Sequence, residues 1–226
     1  ENVIYVKTMP ILIGEQVLSK EGTNVGGWGE TWTFKVNVTD EDLDPLTLKL
    51  WIKKADEQAW ILANSTSYVE NPDLNGTINK TIVLTYKNPS LFQTRQGEWY
   101  YYFEAEDIRN YIGNTTINSF FIEKDDINIS LVAGDGASVW RNGTDIAYLV
   151  VYVYDLDREE GANDANVTFF VTLNGTAFDS GTIVYSNGTG YAAFEFNPEC
   201  DPIYKTGIQY WKAVVVSDDY YKSASS

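Results

Sequence analysis

The chain has 226 residues, of which 44% are hydrophobic and 15% aromatic, so it can fill the core of one or two folded domains and is not disordered. Its 32 acidic and 16 basic residues give a formal charge of −16, and residues 125–226 carry the larger share of that excess. A surface this acidic repels phosphate backbones, so we expect no nucleic-acid partner.

Several residue types that enzymes and metal sites use are scarce or missing. The chain contains no histidine, which excludes a Ser–His–Asp triad and any histidine-ligated metal. Cys200 is the single cysteine, so no disulfide forms within the chain, and it is either a small loop residue or a reactive thiol. No apolar run reaches 18 residues and no signal peptide opens the chain. We therefore expect no membrane insertion and, if the protein is exported, a mature or excised piece.

Asn-x-Ser/Thr triplets are more frequent than chance allows. The 18 asparagines and the 33 serines and threonines would give about 2.6 such triplets at random, and ten are present. Some of the excess reflects Asn-Gly-Thr sequences, because Asn-Gly is also a preferred hairpin turn. The excess predicts an exported glycoprotein. The predicted glycosylation sites are Asn37, Asn64, Asn75, Asn79, Asn114, Asn128, Asn142, Asn166, Asn174 and Asn187.

Apolar and polar residues alternate along most of the chain, and no sustained helical period occurs. Short alternating runs separated by turn residues are typical of a sandwich or barrel, so we predict an all-β fold. In the first half the strands are predicted at 11–18, 30–38, 46–53, 58–63, 78–86, 98–106 and 116–122. In the second half they are predicted at 127–132, 146–154, 165–174, 178–186, 189–196 and 207–217, with a last strand from Tyr220 that is truncated at Ser226.

An internal repeat predicts two domains. The sequence Val36-x-Val38-Thr-Asp40 recurs as Val151-x-Val153-Tyr-Asp155, and each half later closes on an aromatic-rich strand that ends in acids. We predict a first domain at 1–124, with 1–10 as a leading segment, and a second domain at 125–226.

Several motifs resemble repeats of known surface proteins. VTDEDLDPLTL at 38–48 and WYYYFEAED at 99–107 resemble cadherin-like and fibronectin type III-like repeats. ANVTFFV at 165–171, GTGYAAFEF at 188–196 and GIQYWKAVVVSDDYY at 207–221 are similar to immunoglobulin-like repeats of archaeal cell-surface and S-layer-associated proteins. The resemblance implies two tandem immunoglobulin-like (fibronectin type III-like) β-sandwich domains and a structural or adhesive role, and it brings no catalytic residues.

Acidic residues are predicted to gather at one end of each domain. In an immunoglobulin-like topology the loops that carry them meet at the same end, and Ca²⁺ prefers six to eight hard oxygen ligands such as these. The alternative is that the acids are solvated loop residues. The candidate calcium ligands are Asp40, Asp42, Asp44 and Asp107 in the first domain and Asp125, Asp126, Asp155, Asp157, Asp218 and Asp219 in the second.

Aromatic side chains are predicted on the outer face of the first domain. If Leu50 and Phe103 point into the core, their neighbours Trp51, Tyr100 and Tyr102 point outward. Such a patch indicates either a sugar or protein partner, or cross-strand pairs that stabilise the sheet.

From these patterns we expect a non-catalytic structural or adhesive module of an N-glycosylated archaeal cell-surface or S-layer protein, located outside the cell or in its envelope. Carboxylate pairs suited to glycoside hydrolysis arise by chance in a chain this acidic, so we expect no enzyme. The alternative function is a carbohydrate-binding module that uses Trp51, Tyr100 and Tyr102. The expected partners are other cell-surface protein domains or surface glycans, and the expected cofactor, if there is one, is calcium.

Overall fold

The structure is a computed structural model, and it describes residues 2–4, 6–41, 45–68, 78–141, 143–198 and 203–226. Cys200, Asn75 and Asn142 lie outside the described residues. The chain forms two compact units, Glu1–Glu123 and Lys124–Ser226. Each unit is built from strands, and the described residues include one helix of four residues. The prediction of an all-β fold is confirmed.

The described residues of the first unit form nine strands. They are β1 (Ile11–Leu18), β2 (Val25–Gly27), β3 (Trp32–Asp40), β4 (Leu46–Lys54), β5 (Ile61–Tyr68), β6 (Ile78–Tyr86), β7 (Gly97–Asp107), β8 (Ile112–Asn114) and β9 (Asn118–Glu123). One sheet has the order β1-β3-β6, and the other has the order β2-β9-β7-β4-β5 with β8 beside β7. All pairs are antiparallel except β2 with β9.

The helix α1 (Pro89–Phe92) replaces a predicted turn. Asn88 caps it by accepting a hydrogen bond from the backbone N–H of Leu91 at 3.1 Å, and Pro89 suits the first helical turn because its missing N–H would have no helical partner there. The helix places Phe92 in the core.

The two sheets of the first unit pack face to face around aromatic rings. In β3, β4 and β7 buried side chains alternate with half-buried ones, as the two-residue period of a strand requires. Phe34 of β3 meets Tyr101 of β7 with ring centroids 5.3 Å apart, so the two sheets contact each other directly. Phe120 of β9 lies at the centre of this cluster, and its ring is 5.0 Å from that of Trp32.

Eight strands lie in the part of the second unit that the structure describes. They are β10 (Ile127–Ala133), β11 (Ala147–Asp155), β12 (Glu160–Gly161), β13 (Asn166–Val171), β14 (Thr182–Tyr185), β15 (Tyr191–Phe196), β16 (Trp211–Val215) and β17 (Ala224–Ser225). One sheet has the order β10-β11-β12 with β15 also paired to β11, and the other has the order β14-β13-β16-β17. Phe169 of β13 and Phe194 of β15 join the sheets across the core at 5.7 Å.

Some predicted strands are shorter in the structure. The strand predicted at 165–174 ends at Val171, because the next residues turn back and the N–H of Leu173 donates to the carbonyl of Ala177 at 2.7 Å. The last strand was predicted from Tyr220, but Tyr221 is buried and forms an isolated bridge with Asp125. Within the predicted last strand, only Ala224–Ser225 pairs with β16. The three short strands β2, β8 and β12 were not predicted, since two or three residues carry no readable alternation.

We expect Phe120→Ala to lower the free energy of unfolding of the first unit by about 3–5 kcal/mol, because it removes a fully buried ring and leaves a cavity. Urea unfolding followed by tryptophan fluorescence measures this loss. Phe121→Ala is the matched control, since Phe121 is the next residue and is 45% exposed. Equal losses in the two variants would contradict the assignment of Phe120 to the core.

Candidate functional site: a carboxylate cluster in the second unit

Three strands each place an aspartate in the core, because every second side chain along the strand points inward. The inward positions of β11 continue through Val151 and Val153 to Asp155, and β3 and β7 reach Asp40 and Asp107 in the same way. All three carboxylates are therefore buried, with exposed fractions of 0%, 1% and 4% respectively. Burial of an ionised carboxylate is costly unless hydrogen bonds or a cation compensate for it.

Asp155 lies at the centre of a cluster in the second unit. One ligand oxygen from each of Asp125, Asp155 and Asp157 lies within 4.8 Å of the other two. The carboxyl group of Asp155 is also within hydrogen-bonding reach of the carboxyl group of Asp125. We call these three residues the carboxylate cluster.

The backbone holds each member of the cluster in place. Oδ1 of Asp155 accepts hydrogen bonds from the backbone N–H groups of Asp157 at 3.0 Å and Arg158 at 2.9 Å, which fixes the turn after β11. Oδ2 of Asp157 accepts one from the N–H of Asp126 at 2.7 Å. Asp125 is fixed through its main chain, because its N–H donates to the carbonyl of Tyr220 and its carbonyl accepts from the N–H of Lys222.

Oδ2 of Asp155 has a different environment from Oδ1. It is buried, and no donor among the described residues hydrogen-bonds to it. Two ionised carboxylates at 4.8 Å repel by about 3 kcal/mol at an effective dielectric constant of about 20. The cluster therefore requires a bound proton or a bound cation to relieve this repulsion.

Burial raises the pKa of Asp155 above its ordinary value, and the hydrogen bond from the Arg158 backbone and the charge of Arg158 oppose the rise. Burial also raises the pKa of Asp157, and the negative charges of Asp126 and Asp155 add to that shift. Tyr221 packs beside the cluster with its hydroxyl donating to the carbonyl of Asn163 at 3.0 Å. Its pKa is raised by burial and then by the charge of Asp155.

The other predicted ligands of the second unit are engaged elsewhere or exposed. Asp218 is buried, but its carboxylate accepts hydrogen bonds from the backbone N–H groups of Tyr220, Tyr221 and Asn166 at 2.7–3.0 Å. Asp126 forms an ion pair with Lys222 at 2.9 Å. Asp219 lies on the surface. The structure thus brings together three of the six acids predicted for this unit.

In the first unit, Asp42 and Asp44 lie outside the described residues, and no group of three acids was found among the residues that the structure describes there. Asp107 lines a surface pocket of about 400 Å³ together with Glu106, Ser67 and Asn110. Its Oδ1 accepts hydrogen bonds from the backbone N–H groups of Arg109 and Tyr111, which fixes the loop after β7.

The predicted aromatic residues lie on the outer face of the six-stranded sheet and are half-buried. Trp51 of β4 and Tyr102 of β7 are cross-strand partners with nearly parallel rings, 6.5 Å between centroids and 13° between planes. Trp60, which the sequence analysis did not select, packs edge-on against Tyr102 at 4.7 Å. The Lys53 ammonium lies 5.2 Å from the ring centre of Trp60 and 5.8 Å from that of Tyr100.

Comparison with known proteins gives no family. No family model matches the chain, and no curated protein matches it. The crystal structure of red sea bream transglutaminase is similar, with a TM-score of 0.35 and 11% identity over 94% of this chain. The chain spans about 30% of the length of that protein. A similarity this weak transfers no activity or substrate, and the resemblance to archaeal surface repeats stays a prediction.

One expectation from the sequence is corrected by this comparison. We expected the chain not to be an enzyme. That expectation is contradicted, because the similar structure is a transglutaminase and gives no positive indication that this chain lacks enzymatic activity. The described residues contain no helix that is long and apolar enough to cross a membrane.

The raised pKa of Asp155 predicts that the stability of the metal-free protein depends on pH. Between the ordinary value of 3.8 and the raised one, the folded state keeps a proton that the unfolded state releases. The stability contributed by Asp155 is therefore present at low pH and is lost as the pH rises through that window. Asp155→Asn does not titrate, and its amide oxygen can accept the same backbone hydrogen bonds.

With a chelator present, we expect the Tm of wild type minus the Tm of Asp155→Asn to fall as the pH rises from about 4 toward neutrality. Calorimetry at a series of pH values measures it, and other titrating groups cancel in the difference. Asp219→Asn serves as the exposed control. A difference that stays constant or rises with pH would contradict the prediction.

Proposed function

We propose that the chain is a pair of immunoglobulin-like β-sandwich modules with a structural or adhesive role in an exported, N-glycosylated cell-surface or S-layer protein, of the kind found in archaea. The observation that carries this proposal is the position of the sequons. None of the eight sequon asparagines that the structure describes is buried. Asn79, Asn114, Asn128, Asn174 and Asn187 are exposed, which the attachment of a bulky polar glycan requires.

The two all-β units support a structural role for the chain. Each has a core between two sheets, with ring contacts such as Phe34–Tyr101 and Phe169–Phe194 across it. Such cores resist deformation because their side chains interlock at close-packed density. The partners in this proposal are other cell-surface protein domains or surface glycans.

We expect glycopeptide mass spectrometry of protein from its native host to find glycans on several of the five exposed sequon asparagines. The Thr176→Ala variant should lose the glycan of Asn174 and keep that of Asn187, because a sequon requires the hydroxyl residue at its third position. Asn88, which precedes a proline, is the internal negative control. Native protein with the mass of the bare polypeptide, or protease treatment of intact cells that leaves it uncut, would overturn the proposal.

A second candidate is a carbohydrate-binding module, and the nearly parallel rings of Trp51 and Tyr102 favour it. Flat aromatic faces on the outer side of a sheet can stack against the apolar face of a sugar ring. The rings also contact each other and Trp60, so they stabilise the sheet in either case.

For this second candidate we expect Trp51→Ala to abolish binding on a glycan array, with Tyr100→Ala and Tyr102→Ala weakening it. Trp140→Ala is the control, because Trp140 is a tryptophan of the second unit and is 77% exposed. The absence of binding by the wild-type chain would rule the candidate out, and so would equal binding by the Trp51→Ala and Trp140→Ala variants.

A further inference from the structure

We propose that Asp125, Asp155 and Asp157 bind a divalent cation, with Ca²⁺ as the preferred ion, and that this cation closes the end of the second unit. The inference does not depend on the proposed surface role, since it rests on three side chains within one unit.

The spacing of the three ligand oxygens matches that of a single-ion site. Ca²⁺ binds oxygen at about 2.3–2.6 Å, so two oxygens on opposite sides of one ion are at most about 5 Å apart. The three ligand oxygens of the carboxylate cluster lie within 4.8 Å of one another, a spacing at which they could hold one metal ion. Their backbone hydrogen bonds already hold them in this arrangement.

The environment of Asp155 also favours a bound cation. Its side chain is completely buried, and Oδ2 accepts no hydrogen bond from the described residues. A buried carboxylate oxygen is ordinarily hydrogen-bonded, so this exception indicates a proton, a water molecule or an ion beside Oδ2. The neighbouring carboxyl group of Asp125 cannot supply a donor when it is ionised. A cation between the two satisfies both groups.

The basic residues near the carboxylate cluster also contact other groups. Lys222 pairs with Asp126 at 2.9 Å, and Arg158 pairs with Glu160. The ammonium of Lys124 donates to the main-chain carbonyl of Asp218. The charge of Arg158 also acts on Asp155 and that of Lys222 on Asp157, but among the described residues the acids named at this end of the unit outnumber these three basic side chains. A divalent ion restores the balance of charge.

The choice of ion follows from the donors. All three side chains offer carboxylate oxygens. Hard oxygen donors in a site built on loops suit Ca²⁺, whereas soft or histidine-preferring metals lack their ligands in a chain without histidine. Mg²⁺ requires shorter, near-octahedral contacts and should bind more weakly.

The test uses the full chain, freed of metal with a chelator and then titrated with Ca²⁺ by calorimetry and by thermal unfolding. At a Ca²⁺ concentration about 100-fold above Kd, the Tm of the second unit should rise by about 10 °C or more. Mg²⁺ should give a smaller rise, and Na⁺ at matched ionic strength should give none. Asp155→Asn and Asp157→Asn should each weaken Ca²⁺ binding at least about tenfold, while Asp219→Asn leaves it unchanged.

Asp155→Asn should change the Tm in opposite directions in the metal-free and the Ca²⁺-bound protein. Without metal at neutral pH, Asp155→Asn should melt at or above the wild-type temperature, because it removes a repelling charge. With saturating Ca²⁺ it should melt below wild type, because it removes a ligand. A variant that merely folds poorly would melt lower in both conditions, and Asp157→Asn then provides the same comparison at a less buried position.

Terbium locates the site independently of stability. Tb³⁺ takes Ca²⁺ sites and emits when a nearby tyrosine is excited, and Tyr221 forms a bridge with Asp125. Tyr221→Phe should lower the sensitised emission without a comparable loss of Ca²⁺ affinity. The proposal is overturned if wild type shows neither binding heat nor a rise in Tm, or if Asp219→Asn loses as much affinity as Asp155→Asn.

Discussion

The two-residue side-chain period of the long strands is the constraint on which both units depend. In β3, β4, β7 and β11 every second side chain enters the core, and the large residues fall on those positions. A shift of one residue in the pairing of β3 with β6 would exchange Phe34 for Thr33 in the core and break the ring contacts that join the sheets. The alternation therefore determines the register, and the register determines which rings meet.

The same period explains why carboxylates are buried at all. Asp40, Asp107 and Asp155 each occupy the last inward position of a strand, so the pleat carries them to the edge of the core. At that edge the backbone turns, and its N–H groups can donate hydrogen bonds to the carboxylate, as those of Arg109 and Tyr111 do to Asp107. In the second unit the neighbouring acids come close as well. Hydrogen bonds satisfy one oxygen of Asp155, and repulsion remains at the other.

The sequence predicted the long strands because their alternation is local information. It also predicted that acids would gather at the end of the second unit, since strand ends and loops meet there. It could not select three of the six, because the selection depends on contacts distant in sequence. The carboxylate of Asp218 accepts a hydrogen bond from the distant N–H of Asn166, whereas the main chain of Asp125 is fixed by backbone hydrogen bonds to residues 220 and 222. Tyr221 was assigned to a strand, and its burial arises only when the chain folds back.

The bridge between Asp125 and Tyr221 has a mechanical consequence. The two segments run parallel, and one enters the second unit while the other follows its last long strand. Tension applied on either side of the unit pulls parallel neighbours in opposite directions, which loads their backbone bonds in shear. The N–H of Asp125 and the N–H of Lys222 would then share the force, so both bonds must break together. This segment is positioned to act as a clamp that delays unfolding when the chain is stretched.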